Sequence, residues 1–435
     1  MRAIQFFVIC FLLSTNIIAQ PAWIKQGNIY EVNIRQYSKE GTFNAFAKSL
    51  DRLKNMGVQT LWFMPLNPIS KVDRKGSMGS YYAVSDYKDV NPEFGTLKDF
   101  QNLVKQAHAK GMKVLIDWVP NHTGADHSWI TRHPEFYVKD STGKPAIPYG
   151  WDDTRQLDYS NPVMADSMIA SMKYWITNGD IDGFRVDVAW NVPDAFWQKC
   201  IPQLRKMKSG FFMLAEGDKS YLAKTFDAVY PWTMFHQMVD IAAGKKPAFA
   251  LDSIKQANDT LYAKKTIQLY FTSNHDENSW NKADYETFPG AVHAPFAVFT
   301  QTMVNGVPLI YSGQEEPVLK ALEFFEKDPI SFGKYGREKF YKILLALRKS
   351  NPALASDASF RKVSVGNEDA LYAYVREKSG KKVFVILNLS AHEKTVSVKD
   401  KTLLGNPYNV FMGTKEKLGT AAWKIEPWGY VVFTY

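Results

Sequence analysis

Residues 112–122, MKVLIDWVPNH, decide the fold of this chain. The run before Asp117 is mostly apolar rather than alternating, which is the pattern of a parallel β-strand buried on both faces. It follows an amphipathic segment that begins with a capping box at Thr96 and ends at Gly111, two signals that delimit a helix. A helix that leads directly into a doubly buried strand is one unit of a β/α architecture.

Runs of the same kind recur along the chain and are separated by helical patterns. They cover residues 28–35, 58–64, 112–117, 183–187, 211–216, 226–231, 266–272 and 307–312. Asn161-Pro162 marks another helix start, because an N-cap residue is followed by a first-turn proline. Eight alternations of strand and helix over about 300 residues predict an α/β fold, the (β/α)8 TIM barrel.

Two segments interrupt this rhythm and divide the chain into domains. Residues 122–161 are a long polar and aromatic stretch, and loops beyond about 12–15 residues are usually functional, so we predict a small excursion domain over the barrel mouth. The pattern changes to period two around a turn at Lys378-Ser379-Gly380. We therefore assign residues 20–355 to a catalytic barrel and residues 356–435 to a C-terminal antiparallel β-sandwich domain.

The first 19 residues have the features of a secretory signal peptide. Arg2 is followed by an apolar run over residues 4–13, and Ala19 supplies the small residue of a cleavage site. A membrane-spanning helix needs roughly 20 apolar residues, so we expect no transmembrane anchor. We expect export to the periplasm or the medium. Two cysteines, Cys10 and Cys200, cannot form a disulfide framework.

Composition excludes some classes of protein. The chain has 435 residues, of which 46% are hydrophobic and 22% charged, and these values exclude a disordered protein. A net charge of +9 suggests an anionic partner. However, lysines and arginines are spread along the chain in short runs such as Lys245-Lys246, without a nucleic-acid-binding motif. We interpret the charge as solvated surface and expect no nucleic-acid partner.

Polar side chains concentrate at the C-terminal ends of the predicted strands, which is where a TIM barrel carries its active site. They are Asp117, His122, Arg185, Asp187, Glu216, His275 and Asp276. Two carboxyl groups that flank a bond suit glycoside hydrolysis, one as nucleophile or base and one as acid. Glu216 follows an apolar strand and is the candidate for a desolvated acid. Arg185 lies on the same side of its strand as Asp187 and would keep it ionised.

The same segments resemble the signatures of the α-amylase family of glycoside hydrolases, which includes α-amylases, neopullulanases and oligo-1,6-glucosidases. The matches are residues 117–122 (DWVPNH), 183–187 (GFRVD), Glu216 and 274–276 (NHD). Residues 57–65 and 306–315 resemble the second and eighth barrel strands of that family. The similarity covers nearly all of the chain after residue 19, and the segments occur in the family's order.

The resemblance implies a role for each carboxylate. Asp187 would be the nucleophile that forms a β-glycosyl intermediate, Glu216 the general acid/base, and Asp276 a transition-state stabiliser that binds sugar hydroxyls. Asp117 would support the site from behind. The substrate-binding set would be Tyr82, His122, Arg185 and His275.

Aromatic residues near the predicted mouth are candidate platforms for sugar rings. The resemblance implies that Tyr82 stacks on the sugar next to the scissile bond. Trp129, Trp151 and Trp190 could stack in the same way. Tryptophans in a chain with 14% aromatic residues are more often part of the core.

Departures from the family pattern bear on calcium and specificity. Gln156 replaces the usual aspartate ligand of calcium, and Asn191 replaces a calcium-linked histidine, although Asn121 remains. Calcium prefers several oxygen ligands with anionic charge among them, so we expect no family-type calcium site and no required cofactor. Residues 187–189 (DVA) resemble neopullulanases and cyclomaltodextrinases, which argues against strict endo-α-1,4 specificity.

Together these observations predict a secreted, retaining α-glucan hydrolase. It would cleave α-1,4 bonds, and α-1,6 bonds as a further option, in starch or maltooligosaccharides. Two alternatives on the same fold stay open, an α-glucan transglycosylase and an oligo-1,6-glucosidase. A catalytically silent glycan-binding protein is a third, and the retention of all three carboxylates argues against it. The residues leave chain-length preference, endo or exo action and oligomeric state open.

Overall fold

The computed structural model describes residues 20–262 and 266–435 of the chain, so the predicted signal peptide at residues 1–19 lies outside the described residues. Eight parallel strands form a closed barrel, and we number them β1–β8 in chain order. They are Ile29–Val32, Thr60–Phe63, Lys113–Trp118, Gly183–Val186, Phe212–Ala215, Ala228–Val229, Ile267–Tyr270 and Gly306–Tyr311. Neighbours pair in chain order, and β1 closes on β8 with Ile29 opposite Leu309.

The strands occupy the predicted runs, which confirms the α/β fold class. Every strand residue except Lys113 is buried, because helices or core side chains cover both faces of the barrel wall. This burial explains why the strands read as apolar runs rather than as alternating patterns. The carboxyl ends of all eight strands meet at one rim, and the side chains that follow them are therefore brought together.

Helices follow most strands and form the outer layer. The α-helices in the described residues are Ile34–Tyr37, Phe43–Ala47, Leu50–Met56, Leu97–Ala109, Ser128–Arg132, Pro162–Gly179, Asp194–Met207, Leu222–Thr225, Trp232–Ala242, Ala250–Leu261, His275–Asn281, His293–Thr302 and Glu338–Ser350. Shorter helical turns are Ala22–Ile24, Pro134–Phe136, Ala189–Asn191, Ala283–Thr287, Gly290–Val292, Pro352–Leu354 and Lys401–Leu403. Within these described ranges, none combines the length and the apolar character needed to span a bilayer.

Two predicted helix starts are confirmed by their caps. Thr96 Oγ1 accepts a hydrogen bond of 3.2 Å from the Asp99 backbone N–H, and the Asp99 carboxylate accepts one of 2.9 Å from the Thr96 N–H. The Asn161 side chain accepts a hydrogen bond of 2.9 Å from the Val163 N–H, so it caps the helix Pro162–Gly179. The first of these helices leads into β3 and the second into β4.

The excursion leaves the barrel directly after β3. Its short strands His122–Gly124 and Thr154–Gln156 pair antiparallel, with His122 opposite Gln156. The ring of Trp129 packs between Tyr87 and Phe136, at centroid distances of 5.3 and 5.4 Å. Trp129 therefore belongs to the core beneath the excursion and not to a sugar platform.

The C-terminal region is an antiparallel sheet of six strands with a separate two-stranded ribbon. The sheet contains Ser359–Lys362, Leu371–Lys378, Lys381–Asn388, Tyr430–Thr434, Tyr408–Asn409 and Thr414–Lys415, and the ribbon contains Lys394–Val396 and Trp423–Ile425. Ser379 and Gly380 both have positive φ, as a two-residue hairpin turn requires. Alternate residues face opposite sides: Tyr372 packs towards the barrel, while Ala373 shares a cluster with Val396 of the ribbon.

Candidate active site

One buried guanidinium joins three carboxylates at the ends of neighbouring strands. Arg185 Nη1 lies 2.9 Å from Asp117 Oδ1 and 3.1 Å from Asp187 Oδ1, and Nη2 lies 3.1 Å from Glu216 Oε2. Asp117 is opposite Arg185 in the β3–β4 register. Glu216 continues the next ladder, because its N–H donates to Val186 O at 2.9 Å. Carboxylates that are far apart in the sequence therefore surround one positive charge.

His275 and Asp276 begin the helix that follows β7. The Asn274 side chain caps this helix, accepting hydrogen bonds from the N–H groups of Asp276 and Glu277 at 3.0 and 2.8 Å. His275 Nε2 lies 3.0 Å from Asp276 Oδ2 and 2.8 Å from the Tyr82 hydroxyl. The rings of Tyr82 and His275 stack at a centroid distance of 5.5 Å. The cap thus fixes the direction from which His275 and Asp276 enter the barrel mouth.

The predicted site residues surround one pocket of about 350 Å³ at this mouth. Six of them line it: Tyr82, His122, Asp187, Glu216, His275 and Asp276. Arg185 is buried below the pocket and acts on it through the carboxylates that it contacts. The structure therefore brings together all the residues that the sequence placed at the strand ends.

A buried residue behind the pocket was not predicted from the sequence. Glu31, in β1, is fully buried, and its Oε1 lies 2.5 Å from His275 Nδ1. A single carboxylate inside the apolar run IYEV was a signal that could have identified it. Trp280 and Phe324 also line the pocket: Trp280 lies near the end of the helix His275–Asn281 and Phe324 in the segment after β8, and neither is part of a family signature.

Aromatic rings flank the carboxylates on two sides. On the β7 side, the ring of Trp280 is 5.3 Å from Phe324 and the Trp280 side chain is 54% exposed. On the β4 side, Tyr149 lies 5.0 Å from Trp151 and 5.7 Å from Trp190, which is 39% exposed. Exposed aromatic side chains beside a polar cleft are binding surfaces for ligands with apolar faces.

The electrostatics of the carboxylate cluster differ from the sequence-based expectation. Burial and the neighbouring Glu216 carboxylate raise the pKa of Asp187 well above its usual value, against the lowering effect of Arg185. Burial likewise raises the pKa of Asp117 to about 6, although Arg185 is adjacent. Arg185 does lower the pKa of Asp187, as the sequence predicted, but burial and Glu216 raise it more, and the guanidinium is shared among three carboxylates. The cluster therefore retains a proton at pH values where an exposed aspartate has lost it.

Asp276 and His122 differ in charge, because the first is anionic and the second is neutral. Burial alone would raise the pKa of Asp276, but the charge and hydrogen bond of His275 lower it below its usual value. Burial lowers the pKa of His122 to about 4, so its ring is neutral at pH 7. The pocket thus offers an anionic acceptor at Asp276 and a neutral imidazole at His122 to hydroxyl groups of a ligand.

Three amide side chains occupy the positions that correspond to the calcium site of the family. Gln156 Nε2 donates hydrogen bonds of 3.0 Å to Asn121 Oδ1 and to Asn121 O, and Asn191 Nδ2 donates one of 2.7 Å to Asn121 Oδ1. The oxygens of Asn121 that would face a cation already accept N–H groups, and none of the three side chains is anionic. These residues do not fit a calcium ion. In residues 20–262 and 266–435, no cluster of three or more His, Cys, Asp or Glu side chains is arranged around a metal position.

Comparisons with known proteins agree with this geometry. A family model described as the catalytic domain of alpha amylase matches residues 21–334. The chain is 25% identical to alpha-amylase MalA of Haloarcula japonica over 87% of its own length and 57% of that protein. It is 26% identical to alpha-amylase 3 of Dictyoglomus thermophilum, with 92% of each chain covered. Among solved structures, the maltogenic alpha-amylase AmyB of Thermotoga neapolitana superposes with a TM-score of 0.86 at 27% identity, covering 95% of this chain and 99% of that one.

Proposed function

The chain belongs to the α-amylase family of glycoside hydrolases, and from that membership we propose that it is a retaining α-glucan hydrolase. As a family member it acts on the O-glycosyl bonds of α-glucans. We assign it the α-1,4 bonds of starch or maltooligosaccharides, with α-1,6 bonds as additional substrates. The observation that carries the proposal is the single guanidinium of Arg185, which contacts Asp187 and Glu216 at 3.1 Å each in one pocket.

In the first step, Asp187 attacks the anomeric carbon while Glu216 gives its proton to the leaving glycosidic oxygen. The bond between the anomeric carbon and that oxygen breaks, and a β-glycosyl ester forms on Asp187. In the second step, Glu216 takes a proton from water, and the resulting hydroxide displaces Asp187 from the same carbon. Two displacements give a product with the configuration of the substrate.

The raised pKa of Asp187 is compatible with its role as nucleophile if substrate binding places the proton on Glu216 and leaves Asp187 ionised. Asp187 and Glu216 contact the same Arg185 guanidinium, and the Glu216 carboxylate is one of the groups that raise the pKa of Asp187. A glycosidic oxygen beside Glu216 accepts a hydrogen bond only from the protonated acid, which favours the proton on Glu216. Asp187 is then ionised, with Arg185 as its hydrogen-bond donor.

The other residues would hold the sugar at the reacting centre. Asp276, kept ionised by His275, accepts hydrogen bonds from sugar hydroxyls, and these strengthen as positive charge develops on the ring. Tyr82 offers its ring to the sugar face. The aromatic clusters around Trp280 and Trp190 extend the binding surface in both directions along a glucan.

We also propose that catalysis needs no metal ion and that the chain is exported. The first proposal rests on the amide set of Asn121, Gln156 and Asn191, which lacks an anionic ligand. The second rests on the signal-like composition of residues 1–19. N-terminal sequencing of protein recovered outside the cytoplasm tests export, and the expected first residue is Gln20.

Incubation with maltotriose, followed by proton NMR of the first product, tests the reaction. The α-anomer is expected, since a retaining enzyme forms it first. A fluorinated glycosyl fluoride that traps the intermediate is expected to label Asp187, as read by peptide mass spectrometry. The β-anomer, or a label on another residue, would overturn the mechanism. Products longer than maltotriose would instead identify a transglycosylase, and a folded protein without any activity on α-glucans would identify a binding protein.

A further inference from the structure

We propose that Glu31 is a positioning residue whose carboxylate fixes the His275 ring, so that Nε2–H faces Asp276 and the bound sugar. The inference rests on the proposed function, because it assigns a task within that reaction. Glu31 lies outside the segments that carry the family resemblance, and it does not line the pocket. It therefore acts through His275 and not on the substrate.

The position of Glu31 in the barrel is unusual for a carboxylate. In the β-register it lies between Trp62 of β2 and Tyr311 of β8, and it is fully buried. Its Oε1 is 2.5 Å from His275 Nδ1, whereas Oε2 has no hydrogen-bond partner. Desolvating a carboxylate is costly unless a charged partner offsets the penalty. The contact with His275 supplies this partner.

The hydrogen-bond partners of His275 indicate which of its ring nitrogens carry a proton. One ring nitrogen faces a carboxylate oxygen of Glu31 at 2.5 Å, and the other faces Asp276 Oδ2 at 3.0 Å. The Tyr82 hydroxyl donates to Asp117 Oδ2 at 3.1 Å, so its oxygen can only accept from His275 Nε2. All partners of the ring are acceptors, and only an imidazolium donates from both nitrogens.

The charges around His275 also favour the imidazolium form of its ring. Burial alone lowers the pKa of His275, but the carboxylates of Asp276 and Glu31 outweigh it and hold the pKa well above its usual value. The titratable and charged groups that face or influence this ring are Glu31, Tyr82, Asp117, Arg185, Asp276 and Glu277. Of the two carboxylates in contact with the ring, Asp276 touches the substrate and Glu31 does not. Burial raises the pKa of Glu31, whereas the charge and hydrogen bond of His275 act against that shift, so the two groups stabilise each other as an ion pair away from the substrate.

Glu31→Gln tests the proposal because it removes the charge and keeps the shape. The full chain is labelled with ¹³C,¹⁵N-histidine, and the His275 ring signals, identified by their loss in His275→Gln, are followed against pH. We expect His275 to be doubly protonated at pH 7 in the wild type. In Glu31→Gln we expect its titration midpoint to fall by about one unit or more. We expect kcat/KM on maltotriose to fall about 10- to 100-fold, mainly through kcat.

Two further variants separate positioning from packing. Glu31→Asp keeps the charge and should recover part of the lost titration midpoint. Glu315→Gln is the matched control, because Glu315 is equally buried after the neighbouring strand but binds Tyr30 and Arg52, at 2.7 and 2.8 Å. This control should lose thermal stability yet leave the His275 titration and kcat/KM within about twofold of wild type.

The inference is overturned if His275 is neutral in the wild type at pH 7, or if Glu31→Gln leaves its titration unchanged. An equal loss of kcat/KM in Glu315→Gln would also overturn it, since packing would then explain the effect. The ring titration is read without substrate. The inference about Glu31 can therefore be wrong even if the wild type hydrolyses maltotriose. It can also be right in a protein that has no hydrolase activity.

Discussion

The backbone N–H of Val188 donates a hydrogen bond of 2.8 Å to Glu216 Oε2, so the residue that follows Asp187 holds the carboxylate opposite it. Val188 has φ 45° and ψ 38°, a left-handed conformation that costs a β-branched residue on the order of 1–3 kcal/mol. The turn after β4 thereby connects the proposed nucleophile and the proposed acid through one short backbone contact. A substitution at Glu216 that removes this acceptor should therefore disturb the turn next to Asp187.

Glu216→Gln should lower turnover of maltooligosaccharides about 10²- to 10⁴-fold, because proton donation to the leaving oxygen is lost. The fold should remain intact, since a glutamine oxygen still accepts the Val188 N–H. Steady-state kinetics on maltotriose checks the prediction. As a control, α-maltosyl fluoride has a leaving group that needs little protonation, and glycosylation of the enzyme by it should be much less affected. If the variant turned over maltotriose within tenfold of the wild-type rate, the general acid would be a residue other than Glu216.

Asp187→Asn should abolish hydrolysis, and its melting temperature relative to that of wild type should be higher at pH 8 than at pH 4. A buried carboxyl with a raised pKa favours folding below its unfolded value of 3.8, and this contribution is lost as pH rises through the higher folded value. Asparagine does not ionise, so the advantage of the variant over wild type should grow with pH. Calorimetric melting temperatures at both pH values check the sign. An advantage that shrinks with rising pH would contradict the assigned direction of the Asp187 pKa.

EDTA should leave the melting temperature of the wild type nearly unchanged, because amide groups hold the contact between excursion and barrel. Gln156→Asp should lose about 1–3 kcal/mol, since Asn121 Oδ1 and O then lack the donor at 3.0 Å. The new carboxylate should also make stability respond to added calcium. Thermal melts with and without calcium for both proteins provide the comparison. A large drop on adding EDTA to the wild type would show that the chain holds calcium elsewhere.

Trp280→Ala should raise KM for maltohexaose about 2- to 10-fold, the size expected for the loss of one aromatic contact. The effect on kcat should be small, because this ring contacts sugars away from the reacting bond. Phe249→Ala is a suitable control, since Phe249 is 45% exposed but does not line the pocket. Equal changes in KM in the two variants would show that Trp280 is not part of the binding surface.

The sequence predicted the parts of the site that are local in the chain. Asp187 and Glu216 directly follow buried strands, and the apolar runs that form those strands are visible without knowledge of their partners. Glu31 and Trp280 were missed because their roles depend on closure of the barrel and on the side of the helix His275–Asn281 that faces the pocket. The pKa of Asp187 was misjudged for a similar reason: the sequence gives the spacing to Arg185, but not the sharing of its charge.

The contact between Glu31 and His275 joins residues 244 positions apart, and it exists only once β1 and β7 belong to the same closed barrel. The cluster around Arg185 needs only strands β3–β5, which are consecutive in the chain. Pairings between consecutive strands span fewer residues than closure of the barrel does, so they cost less chain entropy. A partly folded chain can thus assemble its carboxylates while His275 still lacks its counter-charge. We therefore expect catalytic competence to follow closure of the barrel, and the ionisation of His275 to report that closure.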